Sequence, residues 1–529
     1  MSQIKNTCNW YENSILYINK EKTEDSMAQS YESTRNSGLK AAASEAVLKG
    51  IANDGGLFVM RDLEKKKIPI MSLPGKSYLE IAEVVLSTLL DDFPEDKIKE
   101  CVSKAYTDKF STYEITPLVK VGDNYVTELF HGPTSAFKDV ALSILPHLMR
   151  ASYEMNHMTG EIIILTATSG DTGKAALEGF KDVKGTKIVV FYPLGGVSKV
   201  QELQMTTQEG VNTFVCAVKG NFDDAQTGVK NIFTNESLKK EMGERNKFLS
   251  SANSINIGRL VPQVAYYFYS YARLVEFGAV KLGDKINFAV PTGNFGNILA
   301  GYYAKVMGLP INKLICASNE NNVLYDFIKR GIYDKNREFY RTISPSMDIL
   351  VSSNLERLLY YLSGKDNERV RDYMERLNSW GRYEITGEMR ERLRDDFYGG
   401  CVYKEEAQKT IRKVFEEHGY LLDTHTAVAY KSLEDYKIDT GDECISVVLS
   451  TASPFKFAGS VYEALYGRTK DDEFAIMEEL SQKTGVKIPE NLSEIKNKKI
   501  RHFETCAVDE MEAFVTKASN KSINEVKNG

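Results

Sequence analysis

Six short apolar runs punctuate the chain, four unbroken and two carrying one polar residue each, Asn287 and Ser446: Ile162–Leu165, Ile188–Phe191, Phe214–Val218, Ile286–Val290, Leu314–Ala317 and Ile445–Leu449. A strand with one wet face alternates apolar and polar residues, whereas an unbroken run belongs to a strand covered on both faces. A segment of helical character follows each run. Strands alternating with helices imply right-handed βαβ units and an α/β fold built on parallel sheets. At ~150 residues per domain, 529 residues accommodate three to four domains.

Before the first run, residues 1–27 read as a polar extension ending at Met27, and 28–115 as a separate N-terminal domain. Within it, Asn53-Asp54-Gly55-Gly56 forms a turn ahead of Leu57-Phe58-Val59, and Leu79, Ile81, Ala82, Val84, Val85 and Leu89 mark a helical face. Residues 331–410 are charge-rich with a helical pattern and read as an insertion.

Composition narrows the class. Hydrophobic residues at 42% and charged residues at 26% exclude a mainly disordered chain. A net charge of −6 argues against a nucleic-acid groove or a polybasic membrane anchor. Seven scattered cysteines without a C-x-x-C pair fit a reduced cytosol better than a disulfide scaffold. Six histidines without H-x-x-x-H or H-E-x-x-H spacing give no metal site. No apolar run reaches the ~18–20 residues of a membrane helix, and the N-terminus is not a signal peptide. The expectation is a cytoplasmic enzyme or binding protein.

In open α/β sheets, ligands bind beyond the carboxyl ends of the strands. Two loops at such positions have unusual composition. Thr166-Ala167-Thr168-Ser169-Gly170-Asp171-Thr172-Gly173 offers hydroxyls and glycines at a helix N-terminus, a ready anion site or a plain turn and N-cap. It is not a P-loop, because Thr168 and Ala175 stand where that template needs glycine and a hydroxyl. Pro291-Thr292-Gly293-Asn294-Phe295-Gly296-Asn297 frees backbone N–H groups to face a phosphate, although Gly-Asn turns are also ordinary loop chemistry. A third segment, His131 to Asp139, places Lys138 after a Gly-Pro turn among small and aromatic residues. A desolvated lysine there has a lowered pKa and can form a Schiff base with a carbonyl cofactor; lone lysines are more often surface charge.

Phe130-His131-Gly132-Pro133-Thr134-Ser135-Ala136-Phe137-Lys138-Asp139 resembles the pyridoxal-phosphate lysine motif of the threonine synthase family. The likeness extends, in order, through Tyr31-Glu32-Ser33-Thr34-Arg35, Asp54-Gly55-Gly56-Leu57-Phe58, Leu165–Gly173, Ser251–Ile257 with Arg259, Gly293–Gly296, Thr424–Tyr430 and Ser450–Phe457. It is similar to the longer bacterial and fungal form. Asn36 follows Arg35 where the family often has glycine, and Tyr192–Ser198 lacks a basic residue that some members carry.

The resemblance implies a tryptophan synthase β-like, fold type II pyridoxal-phosphate enzyme with two open parallel-sheet domains, an added N-terminal domain and a helical insertion. It implies a large cofactor domain of 116–150 and 270–529, and a small α/β domain of 151–269. Lys138 would hold pyridoxal 5'-phosphate and shuttle protons. Gly293, Asn294, Phe295, Gly296 and Asn297 would cradle its phosphate, and Thr451 would face the pyridine nitrogen. Ser169, Asp171 and Thr172, with Asn253, Ser254 and Arg259, would bind the substrate; Lys199 is a weaker candidate. His131 and Asp139 read as structural hydrogen-bonding residues, and His425 is balanced between packing and function.

The implied reaction converts O-phospho-L-homoserine and water to L-threonine and phosphate. The alternatives are another lyase of the same fold, such as a threonine dehydratase or a related phospholyase, and a non-catalytic binding protein. Partners are a small-molecule substrate, neither nucleic acid nor membrane, in a monomer or homodimer.

Overall fold

The structure, a computed structural model, describes residues 29–168, 170–467 and 472–521. The polar segment 1–27 and Ser169 lie outside the described residues.

Two sheets organise the chain. The larger runs, in spatial order, Phe397–Cys401, Ile311–Ser318, Ile286–Pro291, Ser446–Ser450, Asn124–Glu128 and Leu118–Val121. All neighbours in it are parallel except the last pair, an antiparallel hairpin turned at Gly122 and Asp123. The smaller sheet runs Thr505–Cys506, Thr213–Val218, Thr186–Pro193, Glu161–Ala167 and Lys247–Ser251, parallel throughout. The six apolar runs are six of these eleven strands. Every residue of Thr186–Pro193, Thr213–Val218 and Ile286–Pro291 is buried, because helices cover both faces.

The other strands had weaker signals. Lys247–Ser251 is a half-buried edge and Phe397–Cys401 contains two glycines. Gly400 is needed: a Cβ there would stand 2.5 Å from the Ser432 side chain. Phe397–Cys401 lies inside 331–410, so the segment expected to be a helical insertion supplies an edge strand of the larger sheet, besides the small pair Ile332–Asp334 and Arg382–Glu384. The tail also departs from the expected division, which gave all of 270–529 to the large domain. Thr505–Cys506 extends the smaller sheet, and Lys187 and Lys247 both donate to the Ser519 carbonyl at the end of the helix Met511–Asn520. Two edge residues carry too little apolar pattern to declare their partner.

The N-terminal part is a three-stranded antiparallel sheet, Asn36–Ala41, Tyr31–Ser33 and Phe58–Met60, followed by the helices Tyr78–Leu89 and Glu95–Tyr106. Ser77 and Glu80 form a capping box at the start of Tyr78–Leu89, and Tyr78, Ile81, Ala82, Val85, Leu86 and Leu89 are its buried face. This face and the long buried helix Ile257–Glu276 share one apolar core with the inner faces of both sheets.

Candidate active site

Lys138 is the first residue of the helix Lys138–Met155, which follows the strand Asn124–Glu128 past its carboxyl end. The path to it is fixed by the neighbouring strand: the Leu129 N–H donates to the Ser450 carbonyl and the Phe137 N–H to the Thr451 carbonyl, at 2.9 and 2.8 Å. Asp139, buried, accepts from the Thr134 N–H at 2.8 Å and the Thr134 hydroxyl at 2.6 Å, locking the Gly-Pro turn. Burial raises the Asp139 carboxyl to about 6. His131 is likewise held in structure, between Glu128 and Ser111.

Burial lowers the pKa of Lys138, and the charges of Lys456 and Arg259 add to that, against the carboxylate of Asp171. Asp171 opens the helix Asp171–Phe180 beyond the end of Glu161–Ala167, so it faces Lys138 across the gap between the two sheets, at 3.8 Å. Lys456 Nζ lies 2.8 Å from the other Asp171 oxygen and donates to the Thr134 carbonyl at 2.9 Å. Burial opposes ionisation of Asp171, but Lys456 and Lys138 outweigh it and hold the carboxyl below the ordinary range. Asp171 thus meets two lysine ammonium groups, one on each of its carboxylate oxygens. Thr172, beside it in the first turn, is partly buried. Lys199 is exposed and paired with Glu202 at 2.8 Å.

The segment after Ile286–Pro291 has the makings of an anion cradle. Phe295 adopts a left-handed conformation, φ 61°, and the helix Gly296–Val306 starts without a side-chain cap, leaving its first N–H groups open. A Cβ on Gly293 would stand 2.7 Å from the Ser346 carbonyl oxygen. Asn297 Oδ1 accepts from Tyr266 at 2.6 Å and Tyr267 at 3.0 Å, while its Nδ2 is buried and without a partner. Arg259, buried in the helix Ile257–Glu276, donates from one Nη to the Ala252 carbonyl at 2.6 Å while its Nε has no partner. Burial lowers its guanidinium to about 10. Asn253 is exposed, and the Ser254 carbonyl accepts from Asn354 Nδ2 at 3.3 Å.

A second layer, missed in the sequence reading, comes from 344–357. Ser352 donates to the Gly293 carbonyl at 2.7 Å, and Asn354 Nδ2 to the Asn294 carbonyl at 2.9 Å. Arg357, fully buried, binds the Phe58 carbonyl at 2.9 Å and the Ile255 carbonyl and Asn354 Oδ1 at 2.5 Å each. Beside it, Glu356 takes a bidentate pair from Arg35, both bonds 2.8 Å, and a bond from Thr34. The opening motif around Arg35 thus braces the cradle through the helix Leu355–Leu362. The available signal was compositional: 342–355 carries a single charge, Asp348, within an otherwise charge-rich segment.

A buried amine of lowered pKa, an uncapped helix start beyond a neighbouring strand and two buried donors without partners are together chemistry for an aldehyde that carries a phosphate. Comparison with known proteins agrees. The family model "Pyridoxal-phosphate dependent enzyme" matches residues 112–451, flanked by "Threonine synthase N terminus" over 30–106 and "Threonine synthase, C-terminal" over 426–515. The chain belongs to the threonine synthase family. Threonine synthase of Saccharomyces cerevisiae is 38% identical over 470 residues, 83% of this chain and 90% of that protein. Threonine synthase-like 1 of Homo sapiens is 40% identical over 440 residues, and the match spans 80% of this chain but 58% of that relative. The crystal structure of the yeast threonine synthase superimposes with a TM-score of 0.83 at 34% identity, covering 94% of this chain and all of that one. The crystal structure of pyridoxal-phosphate-bound threonine synthase from Brucella melitensis gives 0.82 at 36%, covering 93% of this chain and 99% of that one. The fold of this chain is that of the fold type II enzymes that depend on pyridoxal phosphate, the cofactor its family model names.

Proposed function

We propose that the chain converts O-phospho-L-homoserine and water to L-threonine and phosphate. The observation that carries this reading is the pair of buried donors without protein partners, Arg259 Nε and Asn297 Nδ2, in a site whose lysine takes an aldehyde cofactor. The substrate and the cofactor each bring a phosphate, and a guanidinium matches phosphate oxygens in geometry as well as charge.

Pyridoxal phosphate, when bound, supplies an electron sink conjugated with the substrate Cα. Lys138 holds the cofactor and, once freed by the substrate amine, takes the Cα proton at Nζ and then a Cβ proton. Asn297 and the open N–H groups of Gly293–Asn297 hold the cofactor phosphate. Thr451 offers the pyridine nitrogen a hydroxyl, which does not keep that nitrogen protonated as a carboxylate would. Arg259, with Asn253 and Ser254 nearby in sequence, holds the substrate phosphate until it departs from Cγ; Thr172 and the turn before it receive the substrate carboxylate. Asp171 stays ionised between two lysines and keeps the local field balanced. Water then adds hydroxyl at Cβ, and protons return to Cα and Cγ. No helix among the described residues is long and apolar enough to cross a membrane; the reading further places the chain in the cytoplasm, as a monomer or homodimer acting on a small molecule.

The test is phosphate release from O-phospho-L-homoserine with threonine measured in parallel. Threonine equal to phosphate supports the reading; 2-oxobutyrate in its place assigns the chain to a dehydratase-like lyase. Purified protein should also show the near-violet absorbance of lysine-bound pyridoxal phosphate, and Lys138→Ala should lose it; an unchanged spectrum would remove Lys138 from the site.

A further inference from the structure

Ser346 lies in the segment first read as an insertion, yet its hydroxyl accepts a hydrogen bond from Lys138 Nζ at 3.1 Å. Among the described residues it is the one hydrogen-bond acceptor of that amine, since the Asp171 carboxylate stands farther off and is engaged by Lys456. The position of Ser346 is itself determined. Its peptide N–H donates to His425 Nε2 at 3.1 Å. A peptide N–H can only donate, so Nε2 must carry the lone pair and the imidazole proton must sit on Nδ1. Nδ1 lies 3.0 Å from Asp423 Oδ1, which completes the pairing. Asp423 is wholly buried and caps the helix Thr424–Thr440, accepting the His425 N–H at 2.8 Å and that of Thr426 at 3.4 Å. The imidazole is further confined by the Phe457 ring, with centroids 4.7 Å apart. A continuous line of bonds therefore runs from a helix cap to the reactive amine.

The chemistry of the acceptor matters. A carboxylate at this distance would favour the ammonium form of Lys138 and withdraw the lone pair that must act. A neutral hydroxyl orients the nitrogen without that charge. Building on the reading of Lys138 as the cofactor-holding amine, we propose that Ser346 is a catalytic residue: its hydroxyl holds Lys138 Nζ in place whenever the amine is not bonded to the cofactor. His425 and Asp423 are positioning residues that fix the Ser346 peptide.

The experiment strips the full-length holoenzyme of cofactor with hydroxylamine and adds pyridoxal phosphate back. Non-covalent binding is followed by protein fluorescence. Covalent capture is followed by the growth of near-violet absorbance, as the Lys138 nitrogen bonds to the aldehyde carbon and the carbonyl oxygen leaves as water with the two amine protons. Ser346→Ala should slow capture about tenfold, the scale of one lost hydrogen bond, and leave the binding phase unchanged. His425→Gln keeps an acceptor near the Nε2 position and should capture within about threefold of the wild type, whereas His425→Leu should slow capture as Ser346→Ala does. The His425 pair carries the test should Ser346→Ala fail to fold. Capture at the wild-type rate in Ser346→Ala, slowing confined to the binding phase, or identical behaviour of His425→Gln and His425→Leu would each overturn the proposal. A wild type that never develops the absorbance would instead overturn the cofactor role of Lys138, and this proposal with it.

Discussion

Lys456→Met removes a charge from the centre of the site while keeping the length of the side chain. The side chains of Lys456 and Asp171 are 1% and 5% exposed, so solvent screens their interaction little. At an effective dielectric constant of about 20, the 2.8 Å contact is worth roughly 6 kcal/mol of attraction and the 3.8 Å contact with Lys138 roughly 4 kcal/mol. Desolvation offsets much of both, and removing one partner of a buried pair typically costs about 3–5 kcal/mol because a charge is left stranded. The variant should lose that much in urea unfolding of the apoenzyme. In an Asp171→Asn background the carboxylate is already gone and Lys456 is itself the stranded charge, so the same change should cost less than about 1 kcal/mol, the lost bond to the Thr134 carbonyl being offset by removal of that buried charge. Lys456 also lowers the proton affinity of Lys138, so its loss should move the pH midpoint of cofactor capture upward. A cost below about 1 kcal/mol, equal in both backgrounds, would refute the stranded-charge argument.

Two further predictions concern the cradle and the lysine turn. Arg259→Ala should lower kcat/KM on O-phospho-L-homoserine roughly a hundredfold, as expected for charge-assisted bonds to phosphate; little change would remove Arg259 from the phosphate site. Asp139 keeps its proton in the fold up to about pH 6, whereas the unfolded chain releases it near pH 4. The fold therefore binds the extra proton between those values, and the contribution of Asp139 to stability falls as pH rises through that window. Relative to Asp139→Asn, the wild type should lose roughly 3 kcal/mol between pH 4 and pH 7, measured by denaturation at each pH; a difference that does not vary with pH would disprove it.

Much of the fold was legible because burial on both faces leaves a continuous or nearly continuous apolar run, and six such runs became parallel strands. The lysine and the loop proposed to hold the cofactor were legible for a related reason: glycines, hydroxyls and a lysine clustered at strand ends are visible one residue at a time. Lys456 was harder, because nothing local separates it from a surface lysine. Only its contact with Asp171, from the other sheet, gives it meaning. The edge strands Phe397–Cys401 and Thr505–Cys506 were hidden because an edge needs little apolar pattern of its own.

By itself, then, the sequence determined the class of fold and the family it resembles, and it supplied the candidate site residues, all properties written in local composition and spacing. The tertiary structure alone decided how those residues are held. Asp171 meets Lys138 across two sheets, Arg35 reaches Glu356 over more than 300 residues, and Ser346 arrives at the amine from a segment with no motif of its own. Such pairings depend on which surfaces the folded chain brings together, and hydrogen bonds between residues far apart in sequence leave no periodic trace.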